Sequence, residues 1–178
     1  MSTYFFRNAK PIDAENLSVF VNSAYRGESS KAGWTTEESL LGGQRTDPEK
    51  LKETIELPDS WIVLCFENSS EKKLLASVHL KMESAKTLYL GMLTVDPKLQ
   101  GGGVGKAVLS ESERIAKEKG CSEIRMTVIH LRKELIAYYE RRGYALTGAW
   151  EAFPENDPRF GLPKVKGMKL VEMKKSLK

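Results

Sequence analysis

The sequence contains few of the residues from which disulfide bonds and metal sites are built. It has two cysteines, Cys65 and Cys121, and two histidines, His79 and His130. These four residues lie far apart and none has a partner at the spacing of a zinc site. So few unpaired cysteines are typical of a protein in a reducing compartment. We therefore expect a cytoplasmic protein without a structural disulfide or a bound metal.

Long apolar runs and a strong excess of charge are also absent. No apolar run reaches the length of a transmembrane helix, and the first ten residues lack the apolar core of a signal peptide. The 28 Lys and Arg residues exceed the 24 Asp and Glu residues by only four. The basic segment 164–178 alternates with apolar residues as a strand does, and it lacks the interleaved aromatics of a nucleic-acid interface. We expect neither a membrane nor a nucleic-acid partner, and the weak positive charge suits an anionic, nucleotide-like ligand.

The length and the order of periodic segments predict one domain over residues 1–178. Apolar alternation predicts strands at 4–8, 61–66, 74–82, 87–95, 124–129, 144–153 and 166–174. Helical spacing and capping residues predict helices at 13–26, 47–55, 101–119 and 134–142, with a further short helical piece at 36–41. The fold class is therefore α/β (α+β): a mixed, mostly antiparallel sheet of about seven strands flanked by about four helices.

The junction between the strand that ends at Val95 and the following helix contains an unusual group of glycines. Gly101, Gly102 and Gly103 are consecutive, and Gly105 follows within the first helical turn. Without Cβ atoms, backbone amides at this junction can approach a ligand closely, and a helix N-terminus attracts negative charge. We expect these amides to form a cradle for an anion, although glycines of this kind also occur in flexible surface loops.

Two common phosphate-binding loops do not fit this junction. A Walker A loop requires glycine where this chain has Gln100, and serine or threonine where it has Ala107. A dinucleotide-binding fingerprint requires glycine at Lys106. Both alternatives are excluded by residue type at fixed spacing.

Gln100, Gly103 and Gly105 do match the pattern Gln/Arg-x-x-Gly-x-Gly/Ala, and a second pattern, Tyr-x-x-x-Gly-aromatic, ends the helix near Gly143. At these residues the chain resembles the GNAT superfamily of acetyl-coenzyme A (acetyl-CoA)-dependent N-acetyltransferases. The order of elements is similar along nearly the whole chain, while the specific matches are confined to about 87–109 and 134–144.

The resemblance implies two groups of residues that bind acetyl-CoA as a co-substrate. The diphosphate would lie on the loop and helix start formed by Gln100, Gly101, Gly102, Gly103, Val104, Gly105 and Lys106. The pantetheine arm would pair with the backbone of Met92, Leu93, Thr94 and Val95. It further implies that the strand at 87–95 is bulged and splays from its parallel neighbour at 123–129. Gly91 is compatible with such a bulge and equally with a tolerated glycine.

Registering the second motif on Gly143 implies that Tyr139 is the general acid that protonates the departing thiolate. Helical periodicity by itself assigns Tyr139 to the core, together with Leu135 and Ile136. Tyr138 falls one position off the register. Arg132 occupies the position where many members carry asparagine, so the grip on coenzyme A is expected to differ there.

The sequence does not identify a general base or an acceptor. His79, Glu83, Tyr89 and a relay of water molecules remain alternatives for the base. By resemblance, the segment after the first helix covers the acceptor, where Glu28 would attract an ammonium group and Trp34 would stack on a ligand or fill the core.

These observations predict an N-acetyltransferase. It would move an acetyl group from acetyl-CoA to a primary amine of a small molecule or peptide by direct attack, with Tyr139 as the acid. The alternative is a non-catalytic sensor or scaffold that keeps the acyl-CoA site. The identity of the amine and the oligomeric state stay open, and a homodimer is compatible with the sequence.

Overall fold

A seven-stranded sheet forms the frame of the protein in a computed structural model that describes residues 4–178. Its strands, in the order in which they lie side by side, are β1 (Phe5–Asn8), β3 (Ser60–Phe66), β4 (Leu74–Met82), β5 (Thr87–Val95), β6 (Glu123–Ile129), β9 (Lys169–Ser176) and β7 (Ala145–Ala152). Every neighbouring pair is antiparallel except β5 and β6, which run parallel. The predicted mixed, mostly antiparallel sheet is confirmed.

The helices lie in the connections between strands, and one of them, α3, begins at a side-chain cap. They are α1 (Ala14–Tyr25), α2 (Gly27–Ser30), α3 (Pro48–Glu56), α4 (Val104–Glu118) and α5 (Lys133–Glu140). In α3, Pro48 takes the first position and the side chain of Asp47 accepts a hydrogen bond from the amide of Lys50 at 2.7 Å. Within residues 4–178, no helix is both long enough and apolar enough to span a membrane.

Side-chain alternation along the strands creates a core on each face of the sheet. In β3, Val63 and Cys65 pack into the core that α4 and α5 cover. Ile62 and Leu64 pack on the opposite face, against Leu17 of α1 and residues of α3. Burial on both faces explains why β3 reads as a continuous apolar run in the sequence.

A third, smaller core lies beneath a two-stranded sheet formed by β2 (Leu41–Gly42) and β8 (Leu162–Pro163). Leu41 is buried there with Phe153 and Met168. The helical piece predicted at 36–41 is therefore wrong, because the pairing of Leu41 with distant Pro163 and its burial override local helical preference. Residues 27–30, predicted as loop, form the short helix α2.

In the described part of the chain, the parallel strands β5 and β6 pair with each other only at their beginning. Thr87 to Tyr89 pair with Glu123 to Arg125, and beyond these residues the two strands do not pair with each other. The predicted splay between them is confirmed.

A bulge in β5 accompanies the splay. His79 of β4 pairs with Gly91, and Ser77 pairs with Thr94, so two steps on β4 face three on β5. The extra residue falls after Gly91, where Met92 adopts a φ of 48°. Gly91 has a different reason to lack a side chain, because a Cβ there would lie 2.6 Å from the ring of Tyr89.

We predict that Gly91→Ala destabilises the protein by about 1–3 kcal/mol, because the new methyl group overlaps the Tyr89 ring. The free energy of unfolding in urea would measure this. In a Tyr89→Ala background the same substitution should cost much less. An equal cost in both backgrounds would show that the ring is not the cause.

Candidate active site

A cleft opens where β5 and β6 separate, and it is lined by parts of the chain that are distant in sequence. Its walls are the end of α1 with the segment after it, the end of β5, the glycine-rich loop and one side of α5. The lining residues are Ala24, Tyr25, Trp34, Thr35, Leu93, Thr94, Val95, Gln100, Gly101, Gly103, Gly105, Lys106, Arg132, Leu135, Tyr138, Tyr139 and Arg142.

The glycine-rich loop presents unpaired backbone amides to this cleft. Gly103 is the N-cap of α4 with a φ of 91°, and Gly101 has a φ of 85°. The amide of Ala107 makes the first helical hydrogen bond, to the carbonyl of Gly103 at 3.0 Å. The amides before it have no partner within the helix, and they carry the positive end of the helix dipole. A Cβ at Gly101 or Gly103 would meet open space, so a ligand can reach these amides.

Gln100 holds this loop to the end of β5. Its Nε2 atom donates to the carbonyl of Val95 at 3.3 Å, and its side chain packs against Gly33 so closely that a Cβ there would overlap it. Among the described residues its Oε1 atom is buried without a hydrogen-bond partner. Gln100 therefore orients the loop and leaves one acceptor in the cleft wall.

The bulge brings the end of β5 to the cleft in an unusual way. Leu93, Thr94 and Val95 line the cleft, whereas Met92 packs in the core beneath α1. The carbonyl of Leu93 accepts a hydrogen bond of 2.6 Å from the hydroxyl of Tyr25, the last residue of α1. Sequence reasoning missed Tyr25, because its only local signal is its position at a helix end.

Of the remaining residues predicted for the cofactor, Gly102 and Val104 do not line the cleft. The amide of Gly102 is used in a turn, donating to Leu99 at 3.2 Å, and Val104 is buried in the core beneath α4. Lys106 does line it and adds a positive charge.

Tyr139 belongs to the core, as helical periodicity predicts, and it also lines the cleft, as the general acid implied by the resemblance would have to. Its side chain is only 6% exposed and packs edge-on against Tyr138 and Tyr144, with ring centroids 5.4 and 5.8 Å away. Burial raises the pKa of Tyr139 well above its usual value. The phenol therefore stays protonated throughout the neutral and moderately alkaline range.

Tyr138 separates Trp34 from Arg142 at the rim of the cleft. The ring of Trp34 lies 5.2 Å from that of Tyr138, and the guanidinium of Arg142 lies 3.5 Å from the Tyr138 centroid. The Tyr138 hydroxyl lies against Gly105, where a Cβ would come within 2.5 Å of it. Trp34 is 43% exposed, so it covers the rim instead of filling the core.

Arg132, which stands where many members of the resembled family carry asparagine, binds atoms of the protein itself. It donates to Glu37 Oε1 at 3.0 Å and to Thr35 Oγ1 at 2.6 Å. The second oxygen of Glu37 binds Arg26. Burial would raise the pKa of Glu37, but the charges of Arg132 and Arg26 outweigh it and hold that pKa below its usual value.

Glu28 is not brought to the cleft. It lies on α2, at the surface, and its carboxylate pairs with Lys31 at 2.6 Å. The described residues also contain no group of three or more His, Cys, Asp or Glu side chains suited to a metal ion.

The candidate bases lie outside the residues that line the cleft. Ser60 Oγ donates to the carbonyl of Thr54 at 2.9 Å, so it accepts a hydrogen bond from His79 Nε2, also 2.9 Å away. Burial first, and then nearby cations such as Lys81, lower the pKa of His79 to about 4. Glu83 is paired with Arg125 at 3.0 Å.

Comparisons with known proteins agree on one family. A family model described as "Acetyltransferase (GNAT) family" matches residues 33–144. A thialysine N-epsilon-acetyltransferase from Sus scrofa is 30% identical over 73 residues, which are 39% of this chain and 43% of that protein. The chain thus spans less than half the length of the curated relatives that it matches.

Solved structures share the whole fold at low identity. An N-acetyltransferase from Staphylococcus aureus Mu50 has a TM-score of 0.69 at 17% identity, covering 99% of this chain and 100% of that one. A protein from Salmonella typhimurium, solved with acetyl-CoA, has a TM-score of 0.67 at 16% identity over 99% and 95% of the two chains.

His79 should make the protein sensitive to mild acid. Between its ordinary pKa of 6.5 and about 4, the unfolded chain binds a proton that the folded chain does not. The free energy of unfolding should therefore fall as pH falls through this window, by up to about 1.4 kcal/mol per pH unit. Urea unfolding at several pH values should show a shallower acid dependence in His79→Gln. Parallel curves would contradict the assignment.

Proposed function

Because the chain belongs to the GNAT family of acetyltransferases, we propose that it transfers an acetyl group from acetyl-CoA to a primary amine of a small molecule or peptide. The observation that carries this proposal is the set of open amides at Gly101 and Gly103, beside the gap between β5 and β6. An anion bound at these amides could extend a neutral arm along the unpaired edge of β5.

The cradle suits the diphosphate of coenzyme A, with Gly101 and Gly103 leaving room for it and Lys106 adding charge. The predicted group from Gln100 to Lys106 would thus act as one loop, in which Gln100 orients the backbone. Arg142 offers a second cation at the rim, because it lines the cleft and is held there by the bond that its Nη1 atom donates to the Tyr138 carbonyl at 2.9 Å.

The backbone of β5 from Met92 to Val95 would pair with the pantetheine arm, through the three residues that line the cleft. Leu93 contributes its amide, since its carbonyl is occupied by Tyr25. On one edge this stretch stays paired with β4, at Thr94 with Ser77 and at Val95 with Ala76, while the edge toward β6 is unpaired after Tyr89.

Chemistry then requires one bond to form and one to break. The amine nitrogen attacks the thioester carbonyl carbon, the carbon–sulfur bond breaks, and Tyr139 donates its proton to the departing thiolate. The raised pKa of Tyr139 keeps this proton in place before the reaction. The proton lost by the amine passes to water, because His79 and Glu83 do not line the cleft.

The acceptor enters from the side covered by the segment that carries Trp34. A lysine-like amine with a pKa near 10.4 costs about 4.6 kcal/mol to deprotonate at pH 7. The name of the porcine relative, a thialysine N-epsilon-acetyltransferase, makes an amine at the end of an alkyl chain the first acceptor to test. Glu28 does not line the cleft and is therefore not included in this site.

A second candidate function is a non-catalytic acyl-CoA sensor. The lack of a candidate base among the residues that line the cleft favours it. Such a protein would bind acetyl-CoA without turnover on any amine.

We expect Gly103→Ala to weaken acetyl-CoA binding at least about tenfold, because a methyl group enters the cradle and the left-handed backbone is strained. Gly148→Ala is the matched control, since Gly148 of β7 has a similar φ of 87° and equally open surroundings. Isothermal titration calorimetry and ligand-dependent melting would compare the two variants. Equal affinity in both, or no affinity in the unaltered protein, would contradict the proposed cofactor site.

Tyr139→Phe should lower kcat about 100-fold or more while leaving the affinity for acetyl-CoA unchanged, because only protonation of the thiolate is lost. Tyr138→Phe keeps the rim stack and should retain most of the rate. Thiol release would be followed over a panel of amines.

The pH profile provides an independent check on the same residue. In the unaltered protein, kcat/KM should rise with pH as the amine deprotonates. It should show no falling limb up to about pH 10, because Tyr139 stays protonated. A falling limb near neutral pH would contradict its assignment as the acid, and binding without turnover on any amine would favour the sensor.

A further inference from the structure

One buried carboxylate joins segments that come from opposite sides of the cleft. Glu37 Oε1 accepts from Arg132 at 3.0 Å, and Glu37 Oε2 binds Arg26. The three side chains are between 6% and 8% exposed. Two arginines thus share one buried carboxylate, and the more exposed Glu134 lies 3.7 Å from Arg132 Nε.

Each arginine fixes a different part of the chain. Arg26 follows the last residue of α1 and also donates to the carbonyl of Phe160 at 3.2 Å, on the loop before β8. Arg132 immediately precedes α5 and has a second partner in Thr35, at 2.6 Å. Glu37 therefore connects the segment that covers the acceptor side to the start of α5.

The start of α5 controls where Tyr139 lies. Tyr139 is seven residues after Arg132, which is nearly two full helical turns, so both side chains project from nearly the same side and are about 10 Å apart along the axis. A helix as short as Lys133–Glu140 has little stability of its own, so its orientation depends on tertiary contacts, which include the packing of Ile136 and Tyr139 and the bonds of Arg132 at its start. Both residues line the cleft.

We propose that Arg132, held by Glu37 and Thr35, is a positioning residue that orients Tyr139 toward the thiolate formed during acetyl transfer. This inference rests on the proposed function. It assigns a role to an arginine that stands where a coenzyme A contact would be expected by resemblance, and it makes the acceptor-side segment part of the same unit as the acid.

If Arg132 had only a structural role, removing it would have the same effect on kcat as removing Arg26. Arg132→Met and Arg26→Met each remove one positive charge and leave one arginine on Glu37, so the two variants have the same net charge. Buried ion pairs are also weak sources of stability. Arg26 Nε is buried without a hydrogen-bond partner among the described residues, and Arg132 Nε has the half-exposed carboxylate of Glu134 at 3.7 Å.

A double-mutant cycle separates the two roles. Arg132→Met and Arg26→Met would each be measured alone and combined with Tyr139→Phe, for kcat at saturating amine and acetyl-CoA. We expect Arg132→Met to lower kcat about tenfold when Tyr139 is present and by less than about twofold in the Tyr139→Phe background. Arg26→Met, the control for loss of one arginine, should change kcat by the same factor in both backgrounds.

Melting temperature and the Kd for acetyl-CoA accompany each variant. They should be similar for the two arginine variants, so that a difference in kcat does not reflect unfolding or lost cofactor. Should Arg132→Met fail to fold, Thr35→Val removes the hydrogen bond from Arg132, together with the bond that Thr35 donates to Glu134 at 3.0 Å, without changing charge. Thr35→Val should also lower kcat more when Tyr139 is present than in the Tyr139→Phe background, but by a smaller factor than Arg132→Met does.

The outcomes are distinct. The same loss of kcat from Arg132→Met with and without the Tyr139 hydroxyl overturns the positioning role and leaves the acetyltransferase function intact. A Tyr139→Phe variant with the unaltered kcat overturns the acid and its positioning residue together. An unaltered protein that binds acetyl-CoA but acetylates no amine overturns the proposed function itself.

Discussion

The parting of β5 from β6 is the feature around which the rest of the molecule is arranged. Two parallel strands that pair over three residues and then separate leave an edge of unpaired backbone inside the sheet. An open edge of this kind is unfavourable unless it is satisfied. Here the bulge at Met92 turns the end of β5, and the hydroxyl of Tyr25 satisfies the Leu93 carbonyl. The remaining groups are available to a ligand that completes the edge.

Helix α4 complements this edge because its N-terminus lies beside the gap. Its unpaired amides favour a negative charge, and Gly101 and Gly103 let the ligand approach without steric conflict. A single ligand with an anionic end and a neutral amide-bearing arm therefore fits both features. This is the chemical form of a coenzyme A thioester.

The segment after α1, which we propose covers the acceptor, is held in place by ion pairs as well as by packing. The buried Arg26–Glu37–Arg132 cluster and the small β2–β8 sheet fasten two long connections over the sheet. Long connections are the least constrained parts of a domain, so contacts of this kind decide how well the cleft is formed. Thr35 binds Arg132 of the cluster and its neighbour Trp34 packs against Tyr138 at the rim, so a few contacts connect the two.

Local pattern predicted the seven strands of the main sheet, the major helices and a glycine-rich loop before α4. Strand alternation and the motif Gln100, Gly103 and Gly105 are short-range signals, because each depends on backbone geometry within a few residues. The motif around Tyr139 was equally visible.

Tertiary structure decided the rest. Leu41 lies in a strand and not in a helix because it pairs with Pro163, a residue that is more than a hundred positions away in the sequence. Tyr25 reaches the bulge, and Arg26, Glu37 and Arg132 meet, only after α1 and α5 have docked on opposite faces of the sheet. Contacts between residues so far apart in the chain leave no periodic trace in the sequence, since their geometry is set by packing and not by local backbone preference.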